Sequence, residues 1–158
     1  MINRANIILT HNCNLRCKHC YIDAKHCKEN YEEIFNKAKK IIESLENTSI
    51  NNVMFTGGEC MIFPYLKDLI VYAKSIGLLV TIFTNGMIFD KEIFDLVDYV
   101  NISLDGPKEI HNLIRQNVNS YDNVIKVLDY LKQIDKKTTI QVTINKLNVN
   151  YVYLMIMS

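Results

Sequence analysis

Short apolar runs, each followed by a polar or glycine-containing loop, recur five times along the chain. They are rich in Ile, Val, Phe and Thr and cover residues 5–10, 52–56, 79–84, 99–104 and 138–144. Most are continuous rather than strictly alternating, which is typical of strands in a parallel sheet that is covered on both faces. The pattern therefore predicts five strands, most of them buried.

Segments with helical periodicity separate these runs. They cover residues 31–45, 64–76 and 90–96, and a fourth helix is predicted to begin near Ser120. Residues 148–157 are expected to begin a further helix. Alternation of strand and helix predicts an α/β fold with a parallel sheet and right-handed crossovers.

Composition excludes several classes of protein. The chain has 158 residues, which predicts one domain over 1–158, and its net charge of +1 gives no electrostatic footprint for nucleic acid or an anionic membrane. No window approaches the roughly 18 apolar residues of a membrane span, and the apolar run at the N-terminus is too short for a signal peptide. We therefore expect a cytoplasmic protein with reduced thiols, in which clustered cysteines favour a metal site over disulfides.

The first predicted strand leads into three cysteines with the spacing C-x3-C-x2-C, which are Cys13, Cys17 and Cys20. Three thiolates can hold three irons of a [4Fe–4S] cluster, and the fourth iron then stays open to a small molecule. Two alternatives stay open from spacing alone, namely a zinc site and three unrelated thiols. In a zinc site the fourth ligand would be His11, His19 or His26.

Polar residues also follow the later strands. These are Gly57-Gly58-Glu59 after the second strand, Thr84-Asn85-Gly86 after the third, Ser103 and Asp105 at the end of the fourth, and then His111 and Arg115. Taken singly, each motif is typical of a turn, and the His–Arg pair is typical of a solvated helix face. Together they lie at the carboxyl ends of parallel strands, where α/β folds build their sites.

With these residues in view, the sequence resembles the radical SAM superfamily. The resemblance rests on the cysteine triad, on Gly-Gly-Glu, and on the Ser-Leu-Asp-Gly-Pro segment with its following His and Arg. It covers almost the whole chain to Asn145. The residues within the cysteine motif and the Ser-Leu-Asp-Gly-Pro segment are most similar to those of one branch of the superfamily. This branch contains peptide-modifying enzymes with a C-terminal SPASM or twitch extension, and it also holds haem-biosynthesis relatives. The fold implied is a partial (β/α)6 barrel, of which about five βα units are present here.

The resemblance implies two cofactors, a [4Fe–4S] cluster and S-adenosylmethionine (SAM). Metal ligands would be Cys13, Cys17 and Cys20. Residues implied to contact SAM are Glu59 at its amino group, Gly57 and Gly58 along the methionyl part, Ser103 and Asp105 near the ribose and methionyl groups, Arg115 at the carboxylate, and Tyr21 beside the adenine. No catalytic residue beyond these ligands is implied.

The implied reaction is reductive cleavage of SAM, which gives methionine and a 5′-deoxyadenosyl radical that abstracts hydrogen from a substrate. Branch resemblance makes a peptide the expected substrate, and an electron donor is an expected partner. The alternatives are a catalytically inactive remnant or partner subunit that still binds cluster or SAM, and a zinc-binding α/β module. The family core has six βα units, so the chain is expected to be a truncated one whose fifth strand is left as an unpaired edge.

Three positions depart from the family pattern. Cys60 follows Glu59 where proline is frequent, His19 precedes the third cysteine where an aromatic residue is frequent, and Cys27 lies beyond the triad. Cys60 is interpreted either as a neutral replacement or as an extra thiol near the cluster. Cys27 is interpreted as an incidental thiol.

Overall fold

The sheet contains five strands, all parallel, arranged in the same order as they occur along the chain. The computed structural model describes residues 3–22 and 27–153. Its strands are β1 (Arg4–Thr10), β2 (Asn52–Gly57), β3 (Leu79–Thr84), β4 (Tyr99–Ser103) and β5 (Lys137–Gln141). The predicted α/β class and partial barrel of about five βα units are confirmed.

Five helices connect the strands. They are α1 (Tyr31–Ser44), α2 (Leu66–Ser75), α3 (Lys91–Leu96), α4 (Lys108–Arg115) and α5 (Ser120–Gln133). The sequence predicts all of them except α4, which begins after Pro107 and ends where Gln116 adopts a left-handed conformation. No helix in the described ranges is long and apolar enough to cross a bilayer.

The core lies between the central strands and the helices that cover them. Val53, Phe55, Val80, Ile82 and Val100 are completely buried in β2, β3 and β4. Each such side chain contributes about 1.5–3 kcal/mol relative to an exposed one. Burial of this kind fixes the sheet as the rigid platform whose carboxyl edge carries the polar motifs.

The fifth strand lies at one edge of the sheet. All five of its residues are exposed, and Ile140 is 48% accessible. Its exposure follows because β5 pairs with β4 and has no second neighbour among the described residues, which agrees with the expected unpaired edge. It also ends at Gln141 instead of residue 144, since the Thr143 amide donates to the Asp105 carboxylate at 3.2 Å rather than to a strand.

The helix expected over residues 148–157 lies partly outside the described residues. Val152 and Tyr153 are helical, while residues 154–158 are not described.

Candidate functional site

A cavity of about 380 Å³ opens at the carboxyl ends of the strands, where the sequence predicts the site. Its walls combine three thiols with hydroxyl, amide and charged groups. Nine of the ten residues predicted to bind a metal or SAM line it, namely Cys13, Cys17, Cys20, Tyr21, Gly57, Gly58, Glu59, Ser103 and Arg115. The topology therefore gathers residues more than 100 positions apart into one cavity.

The three cysteines line this cavity in the reduced, thiol form. Cys13 is buried, and Cys17 and Cys20 are half-buried. Burial raises the pKa of Cys13 and of Cys17, and the Arg115 guanidinium partly offsets this for Cys17. Both sulfurs have N–H donors, because Leu15 N lies 3.4 Å from Cys13 Sγ and Arg115 Nη1 lies 3.7 Å from Cys17 Sγ. Such donors stabilise the thiolate form that binds metal.

The Gly-Gly-Glu segment is fastened directly to the residues that precede Cys13. Gly58 N donates to Thr10 O at 2.7 Å and Glu59 N donates to Asn12 O at 2.9 Å. A Cβ at Gly57 would lie 2.3 Å from Thr10 O, and a Cβ at Gly58 would lie 2.1 Å from Asn12 O. These glycines are thus required for the close approach of two backbone segments, in addition to lining the cavity.

Glu59 places a buried carboxylate on the cavity wall. It is only 2% accessible, and its oxygens accept from Met61 N at 3.1 Å and from Asn85 N at 2.7 Å. Burial raises the pKa of this carboxyl, although the two amide donors act in the opposite direction. A buried carboxylate supported by amide dipoles is suited to accept a positively charged amino group, which would supply the missing charge compensation.

Asp105 and Arg115 form a buried ion pair beside the thiols. Arg115 Nε donates to Asp105 Oδ2 at 2.7 Å, and the two side chains are 9% and 0% accessible. Arg115 reaches the cavity, whereas Asp105 lies behind it and also accepts from Thr143 N. The structure therefore places Asp105 as the group that orients Arg115, and direct ribose contact by Asp105 stays a prediction.

His111 is part of the same buried group and not of a solvated face. Its Nδ1 accepts from Asp105 N at 3.1 Å, and its Nε2 lies 2.9 Å from Ser120 Oγ. Burial, assisted by the nearby Arg115 charge, lowers the pKa of His111 to about 4. The ring is consequently neutral at pH 7 and fixes the turn that carries Asp105. The solvated-face interpretation was wrong because α4 turns His111 and Arg115 toward the sheet.

His19 and Tyr21 complete the cavity on the side of the cysteine segment. His19 Nε2 lies 4.0 Å from Asp105 Oδ2, and burial lowers the pKa of His19. Its Nδ1 is buried and is without a hydrogen-bond partner within the described ranges. Tyr21 is 86% exposed at the rim, so a flat ligand group could stack on its ring.

The remaining cysteines lie away from the triad's cavity. Cys60 is completely buried in the hydrophobic core, where its thiol donates to Phe83 O at 3.1 Å and burial raises its pKa well above the ordinary value. Cys27 is exposed, and its backbone groups bond to the Asn12 side chain. This geometry fits Cys60 as a core residue.

A zinc site and a cluster site require different arrangements of the three sulfurs. Among the described residues, no three His, Cys, Asp or Glu side chains lie close enough together to hold one metal ion. A zinc ion needs all its sulfur ligands at about 2.3 Å. In a [4Fe–4S] cluster each thiolate binds a different iron, so the sulfurs need not converge on one atom. His26, one of the alternative zinc ligands, lies outside the described residues.

Two asparagines at the site were not assigned roles from the sequence. Asn12 is buried, and its side chain ties Cys27, Glu29 and Tyr31 to the segment before the cysteines. Asn85 reaches the cysteine segment from the end of β3. Asn85 lies in the Thr-Asn-Gly motif that the sequence marked only as a turn, while nothing in the sequence distinguished Asn12.

Comparison with protein families gives a match to the radical SAM superfamily over residues 7–155. Curated relatives include the Fe-coproporphyrin III synthase of Methanosarcina barkeri, which is 32% identical over 89% of this chain and 37% of its own length. They also include the sporulation killing factor maturation protein SkfB of Bacillus subtilis, which is 27% identical over 91% of this chain and 36% of its own length.

Among solved structures, Streptococcus suis SuiB bound to S-adenosylmethionine has the same fold. The TM-score is 0.82 at 16% identity, covering 98% of this chain and 37% of that one. The chain thus spans little more than a third of these relatives. The cluster and SAM expected from the sequence are the cofactors that enzymes of the matched family use.

Proposed function

Because the chain belongs to the radical SAM superfamily, we propose that it binds a [4Fe–4S] cluster and S-adenosylmethionine and cleaves SAM reductively. The observation that carries the proposal is that three thiols, a buried carboxylate and a buried arginine line one cavity. In an α/β fold this edge of the sheet is where cofactor sites are formed. The 158 residues would thus supply the catalytic core of a radical SAM enzyme.

The chemistry of the donors fits the cluster. Cys13, Cys17 and Cys20 would each bind one iron, which leaves the fourth iron open. The N–H groups of Leu15 and Arg115 near Cys13 and Cys17 would stabilise negative charge on the sulfurs. Cluster binding would also remove the penalty for burying these thiols as thiolates.

The cavity also fits the polar groups of SAM. Glu59 would accept from the amino group, and the terminal guanidinium nitrogens of Arg115 would pair with the carboxylate while its Nε stays bound to Asp105. Ser103 and Tyr21 line the same cavity, so Ser103 would bond to a ribose hydroxyl and Tyr21 would flank the adenine. Gly57 and Gly58 would offer backbone to the methionyl part.

When bound, the cluster supplies the electron that cleaves SAM into methionine and a 5′-deoxyadenosyl radical. The chain's own residues would bind and orient SAM and shield it from water. Glu59 and Arg115 would fix the two ends of the methionyl group, and the apolar walls provided by Leu15, Ile22 and Phe83 would exclude water. An electron donor is required as a partner.

The binding proposal is tested by anaerobic reconstitution with iron and sulfide. We expect about four irons per chain and a brown chromophore, and 5′-deoxyadenosine release when dithionite and SAM are added. C13A, C17A and C20A should lose the cluster. C27A is the matched control because Cys27 is exposed, and it should keep it.

Retention of four irons in the C17A chain would contradict the ligand assignment. A cluster-loaded chain that releases no 5′-deoxyadenosine would indicate an inactive, cofactor-binding subunit instead. One zinc per chain with no visible absorption would indicate the zinc module.

We further propose that the substrate is a peptide. Support comes from a relative that is a maturation protein of a killing factor and from the solved complex of SuiB with its precursor peptide. Other relatives are haem or coproporphyrin synthases, so the chemistry must be tested directly. Reaction with uniformly deuterated peptides should transfer deuterium to 5′-deoxyadenosine, whereas a deuterated free amino-acid mixture should not. Equal labelling from both would refute a peptide requirement.

A further inference from the structure

Asn85 connects the carboxylate of Glu59 with the first cysteine of the triad. It follows β3, is 6% accessible, and makes hydrogen bonds through its backbone and through both ends of its side chain. Its backbone N–H donates to Glu59 Oε2 at 2.7 Å, and its Nδ2 lies 3.7 Å from Cys13 Sγ. A residue held this firmly between two parts of the site has a defined orientation.

The direction of the Asn85 amide is set by its neighbours. Met87 N lies 3.0 Å from Oδ1, and a backbone N–H can be satisfied there only by an oxygen acceptor. Nδ2 must therefore face the cysteine segment. It carries two protons, so that one can reach Asn14 Oδ1 at 2.8 Å while the other points to Cys13 Sγ.

We propose that Asn85 is a positioning residue that donates an N–H···S hydrogen bond to the Cys13 thiolate and thereby raises the reduction potential of the cluster. This inference rests on the proposed function. Reduction adds negative charge to the cluster and its sulfurs, and a donor beside one sulfur stabilises that charge. The effect is strengthened because Cys13 and Asn85 are both buried, where the local dielectric is low.

Substitution of the side chain separates this effect from SAM binding. The contact with Glu59 comes from the backbone of residue 85 and survives any side-chain change that preserves the turn. N85D keeps the shape and the acceptor for Met87 N but replaces the donor with a charged oxygen beside Cys13. N85A removes the donor without adding charge. N36D adds the same charge on the exposed side of α1 and is the matched control.

The test is a potentiometric titration followed by electron paramagnetic resonance of the reconstituted chains. Relative to wild type, the midpoint potential should move to more negative values in N85A and further in N85D, and it should stay unchanged in N36D. Resonance Raman spectra should show stronger Fe–S(Cys) bonds in both Asn85 variants. SAM binding to N85A, measured by equilibrium dialysis, should match wild type.

The outcomes distinguish this inference from the proposed function. If the wild-type chain takes up no cluster, the proposed function fails. If wild type holds about four irons and N85A and N85D have its potential, only the role of Asn85 is overturned. Loss of the cluster in both variants would also overturn the tuning role, because Asn85 would then be needed to retain the cluster.

Discussion

The substitution Gly58→Ala tests how the cysteine segment is held in place. An added Cβ would lie 2.1 Å from Asn12 O and 2.8 Å from His11 O, and both are backbone atoms that cannot turn aside. Ordinary contact begins at 3.4 Å, so the two segments must separate by about 1.3 Å. The Glu59 N to Asn12 O hydrogen bond, now 2.9 Å, cannot survive that displacement.

The energetic cost follows from the bonds that are broken. Gly58 N to Thr10 O and Glu59 N to Asn12 O would both be lost, and each contributes about 0.5–1.5 kcal/mol. We therefore expect G58A to lower the free energy of unfolding by about 1–3 kcal/mol. Because Asn12 directly precedes Cys13, the same displacement would move the first thiol away from the cavity and reduce iron content.

Urea denaturation and iron analysis after reconstitution measure the two effects. Gly77→Ala is the control, since Gly77 has φ +83° and open space around its Cβ position. It should cost about 1–2 kcal/mol through backbone strain and keep the full iron content. If G58A held as much iron as G77A at wild-type stability, the reasoning from the close approach would be refuted.

Three further predictions concern the buried groups around the cavity. D105N leaves the Arg115 guanidinium without its carboxylate and should destabilise the chain by about 3–5 kcal/mol in urea denaturation. The pKa of His111 is about 4 in the folded chain and 6.5 ordinarily, so the unfolded chain takes up the proton first as the pH falls. The free energy of unfolding should therefore decrease between pH 6.5 and pH 4, by up to about 3 kcal/mol, and H111N should reduce this pH dependence. C60A should keep the full iron content, but its free energy of unfolding should be about 1–2 kcal/mol lower, because Cys60 packs in the core and bonds to Phe83 O.

Each of these predictions has a contrary outcome. Unchanged stability of D105N would mean that Arg115 finds another partner at no cost. A difference between wild type and H111N that is the same at pH 7.5 and pH 4.5 would contradict the neutral, buried state of His111. Loss of iron from C60A would place its thiol in the site after all.

Much of the fold was readable from the sequence because the central strands are buried on both faces. The runs that end at Thr84 and Ser103, for example, are apolar enough to predict the positions of β3 and β4. The edge position of the fifth strand was expected from counting five strands against the six units of the family core. The apolar pattern of this strand does not by itself reveal that its residues are exposed, because burial depends on neighbours in space.

The site was predictable where a residue type is demanded by chemistry. Three cysteines at fixed spacing and an acid after two glycines can be recognised in the sequence without a structure. Helix α4 was missed because its apolar face also carries His111 and Arg115, whose types suggest solvent exposure. Their burial depends on Asp105, which neutralises the arginine, and such compensation is visible only in three dimensions.

The agreement between strand order and chain order has a consequence for synthesis on the ribosome. Each strand pairs with the one made just before it, so every pairing partner already exists when a new strand emerges. Thr10 and Asn12, just before the cysteines, can accept their backbone hydrogen bonds as soon as Gly58 and Glu59 have been made. The bond from Lys18 N to Ile114 O and the Arg115 contact to Cys17 must wait until residues 114 and 115 have been made. Proteolysis of ribosome-bound chains should therefore show protection of residues near Cys13 before α4 has been made. Equal sensitivity until release would contradict this order.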